Sequence, residues 1–337
     1  MMKNVIIIAE AGVNHNGNIE NAKKLIDIAS LAGADYVKFQ TFNADKLVSK
    51  NAKKAEYQQI NTSELDDYQL NMLKRLELSN EQHIELISYC NLKGIKFLSS
   101  AFDNESIDFL ASLKIGIWKI PSGEITNFPY LKKIAMLHEP IILSTGMCNM
   151  SDISDALFVL MKYGITKEQI TVLHCNTQYP TPFEDVNLNA MKTIADTFDV
   201  KIGYSDHTLG IEVPIAAVAL GAVVIEKHFT LNRNMDGPDH KASLEPDELI
   251  TMIKSIRNIE KALGSKTKEV SLSESQNIQI VRKCIVASKI INIGDKFSEE
   301  NLTVKRAGSG LSPMLWESLI GEKAKKKYNP DDIIEIS

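Results

Sequence analysis

A short run rich in valine and isoleucine recurs eight times in this chain, and it limits the possible folds more than any other feature. The runs occupy residues 5–10, 34–40, 95–100, 117–123, 140–146, 170–176, 200–206 and 222–229. Apolar runs of this length are typical of strands that are buried on both faces of a parallel sheet. Stretches with apolar residues at helical spacing separate the runs, so the chain alternates between strand and helix.

Two of the helical stretches begin with good N-cap residues. The helix predicted over residues 79–94 begins at Ser79 or Asn80, and the helix predicted over residues 151–164 begins at Ser151. Eight strand–helix units in succession predict a closed (β/α)8 TIM barrel, an α/β fold, with a doubly wound open sheet as the alternative. The open sheet would carry a glycine-rich GxGxxG turn after its first strand, which EAGVNHNG does not match.

The composition changes near residue 265, which predicts a second domain. Residues 1–265 hold the strand–helix pattern, residues 266–280 are polar and linker-like, and residues 281–337 predict the short strands and turns of a small β-rich domain. Residues 55–78 make a long excursion between the second and third strands. Long barrel loops of this kind often cover the active site.

Charge and composition exclude several classes of protein. The chain has a net charge of −5, and its clearest basic cluster, KAKKK at 323–327, is typical of a solvated helix face. It therefore lacks the basic surface of a nucleic-acid-binding protein. No run approaches ~18 uninterrupted apolar residues, so no membrane span is predicted. The four cysteines are widely separated and form no CxxC pair, which predicts reduced thiols and a cytoplasmic location.

Polar side chains gather at the ends of the eight runs, where a barrel of this kind has its active site. They are Glu10, Asn14, His15, Lys38, Gln40, Ser99, Ser100, Lys119, Ser122, Glu124, Ser144, Thr145, His174, Asn176, Thr177, Ser205, Asp206, His207, Glu226, Lys227 and His228. Burying so many polar groups without partners would be costly, so the set predicts a pocket for a small polar molecule. Lysines, hydroxyls and amides suit the oxygens of phosphate and carboxylate groups.

The stretch KIGYSDHTLG, at 201–210, allows three interpretations: a nucleophile with its base, a metal site or an ordinary loop. A serine hydrolase would place its serine between glycines, and GYSDH does not. Ser205 and His207 alternate along one strand and so share a face, whereas Asp206 points away from them. His207 and His228 close neighbouring strands and could bind one divalent metal ion, with Mn or Mg favoured where carboxylate or water completes the site.

Several long motifs make this chain resemble a known family. In order they are AEAGVNHNG, DYVKFQTF, WKIPSGEITNFPYL, ILSTGM, LHCNTQYPTPFEDVNL, GYSDHTLG and IEKHFTLNRNMDGPDHKASLEPDEL. Together they resemble the bacterial sialic acid synthases of the N-acetylneuraminate and legionaminate synthase type. The tail NLTVKRAGSGLSP is similar to the C-terminal antifreeze-like (SAF) domain of that family, which residues 281–337 would form.

The resemblance implies a reaction and its partners. Phosphoenolpyruvate would condense with N-acetylmannosamine to give a nine-carbon 2-keto sugar acid and phosphate, with Mn²⁺ or Mg²⁺ as the cofactor. The alternative is a legionaminate synthase that acts on 2,4-diacetamido-2,4,6-trideoxy-mannose. The family works as a homodimer in which the C-terminal domain of one chain caps the barrel of the other. Two other classes stay open: a non-catalytic sugar-binding protein, and an aldolase that uses a Schiff-base lysine.

The resemblance also implies roles for individual residues. His207 and His228 would hold the metal, and Glu10 would act as an acid or base at the reacting carbons. The phosphoenolpyruvate contacts would be Lys38, Ser100, Lys119, Ser122, Asn176, Thr177 and Ser205. Asp239 would face the amino sugar, Gln40 and Tyr179 would line the pocket, and Arg306 would reach the sugar in the partner's barrel. The chain departs from the family pattern at SSAFD, where Ser100 replaces threonine, and at KRAG, where the proline before the glycine is missing.

Overall fold

The computed structural model describes residues 4–62 and 68–335. Within the predicted excursion at 55–78, residues 63–67 therefore lie outside the described residues, as do residues 336–337 of the predicted C-terminal domain.

Eight parallel strands form one sheet in the order β3-β2-β1-β8-β7-β6-β5-β4. They are β1 (Ile6–Gly12), β2 (Tyr36–Thr41), β3 (Lys96–Ala101), β4 (Trp118–Ile120), β5 (Ile141–Ser144), β6 (Ile170–Cys175), β7 (Lys201–Asp206) and β8 (Val224–His228). The first strand pairs with the eighth, and the Cα atoms of β3 and β4 approach within 8 Å, so the sheet closes into a ring. The predicted (β/α)8 barrel is confirmed, and the doubly wound sheet is excluded.

Helices connect the strands and cover the barrel. They are α1 (Ile19–Ala32), α2 (Ala44–Leu47), α3 (Glu56–Asn61), α4 (Gln69–Leu76), α5 (Asn80–Lys93), α6 (Asn104–Ser112), α7 (Phe128–Ala135), α8 (Met150–Lys162), α9 (Asn189–Phe198), α10 (Glu212–Ala219) and α11 (Pro246–Leu263). Their apolar faces pack on the outside of the strands in one large hydrophobic core, which includes Trp118, Tyr130 and Tyr204. In the part of the chain that the structure describes, no helix is long and apolar enough to cross a membrane.

A small apolar layer underlies the polar ends of the strands. Ile8, Leu98, Ile142, Leu173 and Val224 form a buried cluster that is separate from the outer core. Side chains two residues apart on a strand share a face. The next inward positions are therefore Glu10, Ser100, Ser144, Cys175 and Glu226. The barrel interior thus changes from apolar to polar between one inward-facing position of a strand and the next, two residues later.

Local chemistry explains two details of the elements. Ser79 caps α5 as predicted, with its hydroxyl accepting a hydrogen bond from the Gln82 amide at 3.3 Å. The prediction that Ser151 caps α8 is wrong. Asn149 is the cap, because its side-chain oxygen accepts from the amides of Ser151 at 2.7 Å and Asp152 at 3.2 Å.

Between β2 and α5 the described residues form three short helices, of which α3 and α4 lie in the excursion at 55–78 and α2 precedes it. Apolar residues of α2 and α4 pack with Val13 and Phe42 in a hydrophobic cluster of their own, apart from the barrel core. In α4 the buried residues Met72, Leu73 and Leu76 follow helical spacing and face this cluster. The excursion is therefore a small packed layer over the loops at the carboxyl ends of the strands.

The chain separates into two compact units, Met1–Gly264 and Ser265–Ser337. The second unit contains α12 (Leu272–Val281), the antiparallel pair β9 (Cys284–Ala287) and β10 (Leu302–Lys305), and α13 (Trp316–Leu319). Its own core includes Ile285, Phe297 and Tyr328. The segment 266–280, interpreted from its composition as a linker, holds most of α12, because Ser271 and Glu274 form a capping box. The domain limits at 265 and 281 stay a prediction.

Candidate active site

A cavity of about 660 Å³ opens at the carboxyl ends of the strands. Twelve of the fourteen residues predicted for the site line it: Glu10, Lys38, Gln40, Ser100, Lys119, Ser122, Thr177, Tyr179, Ser205, His207, His228 and Asp239. A volume of this size suits one or two small molecules. The barrel therefore brings residues from six of its strands, and from the loops after β4, β6, β7 and β8, to a single site.

Strand register decides which side chains meet at the bottom of this cavity. Glu10 on β1 is paired with Lys38 on β2 and with His228 on β8. Ser205 on β7 is paired with Glu226 on β8. Because paired residues on neighbouring parallel strands point the same way, these side chains form one continuous inward ring.

Four buried charges lie at the centre of the ring. The Lys38 ammonium is 2.8 Å from Glu10 Oε2 and 3.7 Å from Glu226 Oε2. The Lys119 ammonium is 3.4 Å from Glu226 Oε1, which also accepts a hydrogen bond from the Ser205 hydroxyl at 3.0 Å. All four charged side chains are buried. Two ammonium groups held at the base of an open cavity are suited to binding a dianion or trianion.

Burial moves the pKa values of these groups in different directions. Burial raises the pKa of Glu10 to about 7, although the neighbouring Lys38 opposes the rise. Burial also lowers the pKa of Lys119, only partly offset by Glu226. For Lys38 the carboxylates of Glu10 and Glu226 outweigh burial, so its pKa is raised. A carboxyl group that titrates near neutral pH can both donate and accept a proton, as a general acid–base must.

The two predicted metal-binding histidines lie side by side, with ring centroids 5.3 Å apart. Burial lowers the pKa of His207 to about 4 and that of His228 well below its usual value, so both imidazoles are neutral. The backbone carbonyl of Asn176 can only accept, so His207 Nδ1 donates to it at 2.5 Å and Nε2 keeps its lone pair. His228 Nδ1 is buried, has no hydrogen-bond partner in the part of the chain that the structure describes, and lies 3.9 Å from Asp239 Oδ2.

This donor set fits a metal ion that takes its remaining ligands from substrate or water. Neutral imidazole with an available lone pair is a good ligand for first-row divalent ions. Among residues 4–62 and 68–335, no group of three or more His, Cys, Asp or Glu side chains is arranged to hold a metal. Among these residues the imidazoles of His207 and His228 are therefore the candidate ligands.

The hydroxyl and amide groups of the predicted site have different surroundings. Ser122 accepts from the Gly146 amide at 2.9 Å, and Ser100 accepts from Lys38 at 3.4 Å. Gln40 donates to Glu10 at 3.5 Å. Asn176 does not line the cavity. Its side-chain oxygen accepts from the Gln178 amide at 2.7 Å and its carbonyl orients His207, so its observed contacts hold the loop after β6.

Asp206 faces away from the cavity, as the alternation along β7 predicts. It forms an ion pair at 2.5 Å with Lys227 of β8, and both side chains are fully buried. Asp206 also accepts from the Thr208 hydroxyl at 3.0 Å, and Lys227 donates to the Thr208 carbonyl. The pair therefore joins β7 to β8 directly behind Ser205, His207, Glu226 and His228.

Replacing Asp206 with asparagine is expected to lower the free energy of unfolding by about 3 kcal/mol, because the buried Lys227 ammonium loses its counter-ion. Urea unfolding monitored by circular dichroism measures this loss. In the matched control, the double variant Asp206→Leu, Lys227→Met, both charges are removed and most of the stability returns. A loss below about 1 kcal/mol in Asp206→Asn, typical of an exposed pair, would contradict this account.

Some important side chains were not assigned from the sequence. Glu226 was noted at the end of the eighth run but given no role, although it lies within 4 Å of both lysines. Its two-residue spacing from His228 places both on one face of β8, which is the signal that identifies it. Tyr57 and Gln58 of the excursion also line the cavity. Nothing in the local pattern points to them, because only the folded excursion carries them there.

Arg306 lies in the second unit, directly after β10, and its side chain is exposed. Its predicted contact with the sugar in a partner's barrel stays a prediction.

A sequence profile of the NeuB family matches residues 25–268, about three quarters of the chain. The chain belongs to the NeuB family. Residues 282–337 match the SAF domain, so the predicted architecture of a barrel followed by an SAF domain is confirmed. The other members of the family described next are named for sugar acid synthesis, which agrees with the resemblance drawn from the motifs.

Two NeuB family proteins named N,N'-diacetyllegionaminic acid synthase are similar over most of their length. The protein from Campylobacter jejuni is 56% identical over 333 residues, 99% of each chain, and the one from Legionella pneumophila is 47% identical over 94% of this chain and 89% of its own. A solved structure of N-acetylneuraminic acid synthetase from Leptospira borgpetersenii, in complex with citrate, is 34% identical with a TM-score of 0.73, over 82% of this chain and 90% of that one.

Proposed function

We propose that this protein condenses phosphoenolpyruvate with 2,4-diacetamido-2,4,6-trideoxy-mannose, giving N,N'-diacetyllegionaminate and phosphate. The observation that carries the proposal is the 56% identity, over 99% of both chains, to the Campylobacter jejuni N,N'-diacetyllegionaminic acid synthase. The motifs favoured N-acetylmannosamine as the sugar substrate, with the 2,4-diacetamido sugar as the alternative, and this preference is now reversed. N-acetylmannosamine becomes the second candidate, favoured by the likeness to the Leptospira N-acetylneuraminic acid synthetase.

The charges of the cavity support the binding of phosphoenolpyruvate. Its phosphate and carboxylate groups would accept hydrogen bonds from the ammonium groups of Lys38 and Lys119, which are buried at the cavity base. The proposed hydroxyl and amide contacts are Ser100, Ser122, Asn176, Thr177 and Ser205. Glu226 pairs with both lysines and so holds their ammonium groups in place for the anion.

The bond changes follow from the structures of the two substrates. The electron pair of the C2–C3 double bond of phosphoenolpyruvate forms a bond from C3 to the aldehyde carbon of the open-chain sugar, and the aldehyde oxygen takes up a proton. The positive charge left on C2 is shared with its phosphate-bearing oxygen. Water adds at C2 and releases one proton, which leaves a hydroxyl group there. The C2–O bond to phosphate then breaks as the hydroxyl proton passes to the departing phosphate, leaving the 2-keto acid and hydrogen phosphate.

Glu10 is the proposed acid–base group for the proton steps. Its carboxyl group lies between Lys38 and Gln40, and its pKa of about 7 makes both protonation states available at neutral pH. In the carboxylate form it would accept the proton of the water that adds at C2. Asp239, whose pKa burial raises to about 6, would accept hydrogen bonds from sugar hydroxyls together with the lining residues Gln40 and Tyr179.

A divalent metal ion, Mn²⁺ or Mg²⁺, would be held by His207 and His228. When bound it would polarise the sugar aldehyde and stabilise the negative charge that develops on its oxygen. Because His207 Nδ1 donates to the Asn176 carbonyl, Nε2 keeps the lone pair that a metal ion needs. His228 Nδ1, which has no partner among the described residues, supports the proposal that His228 is the second ligand.

The assembly is proposed to be a homodimer in which the SAF domain of one chain, with Arg306, covers the barrel of the other. Arg306 is exposed and carries a planar guanidinium that suits a carboxylate or amide oxygen. A cytoplasmic location stays a prediction. It is supported by Cys90, Cys148, Cys175 and Cys284, which are all free thiols.

Phosphate release from phosphoenolpyruvate tests the proposal. We expect release only when an acylated amino sugar and a divalent ion are both present, with the larger kcat/KM for the 2,4-diacetamido sugar than for N-acetylmannosamine. Chelation with EDTA and the His207→Ala variant should each abolish release, and added Mn²⁺ should restore it only in the chelated wild type. Release without any sugar, or full activity in EDTA, would contradict the proposal. A sugar adduct trapped by borohydride would favour the Schiff-base aldolase instead.

A further inference from the structure

The cavity has two chemically different sides. One carries the charged ring described above. The other is apolar and is formed by α4 of the excursion, by the end of α2 and by residues that follow β1 and β3. This apolar wall consists of Val13, Leu47, Val48, Met72, Leu73, Leu76 and Phe102, all of which line the cavity and belong to the excursion's own hydrophobic cluster. A molecule that fills the cavity must therefore present a charged end to the ring and an apolar end to this wall.

Two primary amides border the apolar wall. Gln58 Oε1 accepts hydrogen bonds from the Ala55 amide at 3.0 Å and from Gln69 Nε2 at 3.4 Å. Gln58 Nε2 is 3.4 Å from the Tyr57 hydroxyl. Both glutamines line the cavity. These contacts hold the amide pair and do not use the Gln69 side-chain oxygen or the second N–H of Gln58 Nε2, an acceptor and a donor of the kind that another amide group needs.

The wall is attached to the reacting end of the site. Tyr57 stacks on Tyr179 with ring centroids 5.1 Å apart, and Tyr179 packs on His207 at 4.1 Å. Val13, a residue of the wall, directly follows Gly12 in the chain, and Gly12 lies so close to Glu10 that an added Cβ would be 3.3 Å from Glu10 Oε1. The apolar wall therefore begins one residue along the chain from the backbone that lies against the Glu10 carboxyl group.

The chemistry of the wall selects among the candidate sugars. N-acetylmannosamine carries free hydroxyls at C4 and C6, and a hydroxyl pressed against apolar side chains loses its hydrogen bonds to water without replacement. The 2,4-diacetamido-2,4,6-trideoxy sugar carries an acetamido group at C4 and a methyl group at C6. The methyl of its C4 acetamido group and its C6 methyl group suit the wall, and its C4 amide suits the amide pair.

We infer that the apolar wall and the Gln58–Gln69 pair form the specificity subsite of this enzyme, binding the C4 acetamido group and the C6 methyl group of the sugar. This inference rests on the proposed function, because it assumes that an amino sugar occupies the cavity. The apolar wall and the amide pair would then select the sugar, while the charged ring binds phosphoenolpyruvate.

The test compares kcat/KM for the two sugars in wild type and in wall variants. In Leu47→Asn and Leu73→Asn the new amide should lower kcat/KM for the 2,4-diacetamido sugar and raise it for N-acetylmannosamine, so that their ratio falls by at least about 10-fold. Leu47 is half-buried, so its variant should fold even if Leu73→Asn does not. Leu92→Asn, an exposed leucine of α5 outside the cavity, is the matched control and should keep the wild-type ratio. Gln58→Leu should lower kcat/KM for the 2,4-diacetamido sugar more than for N-acetylmannosamine.

The outcomes separate this inference from the proposed function. If wild type uses the 2,4-diacetamido sugar but the Leu47→Asn and Leu73→Asn variants keep its ratio, the subsite is wrong and the synthase proposal stands. A wild type that prefers N-acetylmannosamine also overturns the subsite but not the condensation reaction. If wild type releases phosphate with neither sugar, both proposals fail. A parallel fall in kcat/KM for both sugars, with unchanged ratio, marks a structural role for the wall and overturns the inference.

Discussion

The Glu10→Gln variant is expected to lose about 100- to 10,000-fold in kcat, because glutamine keeps the shape of the side chain but cannot exchange a proton. The wild-type kcat/KM should rise with pH through about 7, the pKa of Glu10 in the free protein, as Glu10 becomes the carboxylate that accepts a proton from water. In Glu10→Gln this rise should disappear. Steady-state phosphate release between pH 5.5 and 9 (a range chosen to span that value) measures both effects.

Two controls accompany the Glu10 measurement. Glu85→Gln removes an exposed carboxylate that pairs with Lys23 on the outside of the barrel, and it should leave kcat and the pH profile of kcat/KM unchanged. Protection of Glu10→Gln by phosphoenolpyruvate against thermal unfolding shows that the anion site is intact. A kcat within a few-fold of wild type, or a pH profile that keeps its rise near 7, would remove Glu10 from the proton steps.

The second large effect concerns stability in acid. Burial lowers the pKa of His15 to about 3 and that of His240 to about 4, and the same cause lowers the pKa values of His207 and His228. Histidine in the unfolded chain has a pKa of 6.5, so as the pH falls below 6.5 the unfolded chain binds protons before the folded protein does. The free energy of unfolding that these histidines contribute above pH 6.5 is therefore lost in acid. Protonation of Glu10 and Asp239 acts in the opposite direction and offsets part of this loss, because their pKa values are raised.

With these groups taken together, the free energy of unfolding of the metal-free protein should fall by about 5 kcal/mol between pH 7 and pH 4.5. This is comparable with the whole stability of many domains. Urea titrations at the two pH values, in EDTA, measure the change. An increase in stability on acidification would contradict the expected balance of histidines and carboxylates.

A single variant attributes part of the acid effect to His15. This ring is fully buried, with Nδ1 accepting from the Gly17 amide at 3.0 Å. His15→Asn keeps an acceptor for that amide but cannot titrate, so the loss between pH 7 and pH 4.5 should shrink by about 3 kcal/mol. His138→Asn is the matched control, because His138 is exposed and its positive φ of 57° suits asparagine. A pH dependence in His15→Asn parallel to that of wild type would show that His15 does not contribute.

The barrel could be predicted from the sequence because each strand carries its own signal. Short β-branched runs separated by capped helices leave few topologies, and the carboxyl-terminal ends of the runs then point to residues that line the cavity. Predicted boundaries were less accurate. The fourth run, at 117–123, contains a strand of only three residues, Trp118–Ile120, because Pro121 has no amide hydrogen to continue the ladder.

The rest of the site depends on contacts between distant segments. The excursion helices α3 and α4 carry no strong signal of their own, and α3 reaches the cavity through Tyr57 stacking on Tyr179. The importance of Glu226 comes from two ammonium groups on other strands. The cap of α8 was misplaced because Asn149 and Ser151 are both good caps, and only the backbone path decides between them.

The buried pair of Asp206 and Lys227 has a consequence for how the barrel closes. On β7 and β8 polar side chains occupy both faces. Glu226 and the neutral His228 point inward, while Asp206 and Lys227 lie behind them, where Lys227 also interacts with the carboxylates of Glu212 and Glu248. A slip of one residue between these strands would turn every side chain of the slipped strand to the opposite face. It would bring Lys227 into the cavity and leave Asp206 opposite a carboxylate or an imidazole. The ion pair therefore forms in only one register of β7 and β8. That register also places the two neutral imidazoles beside the two ammonium groups.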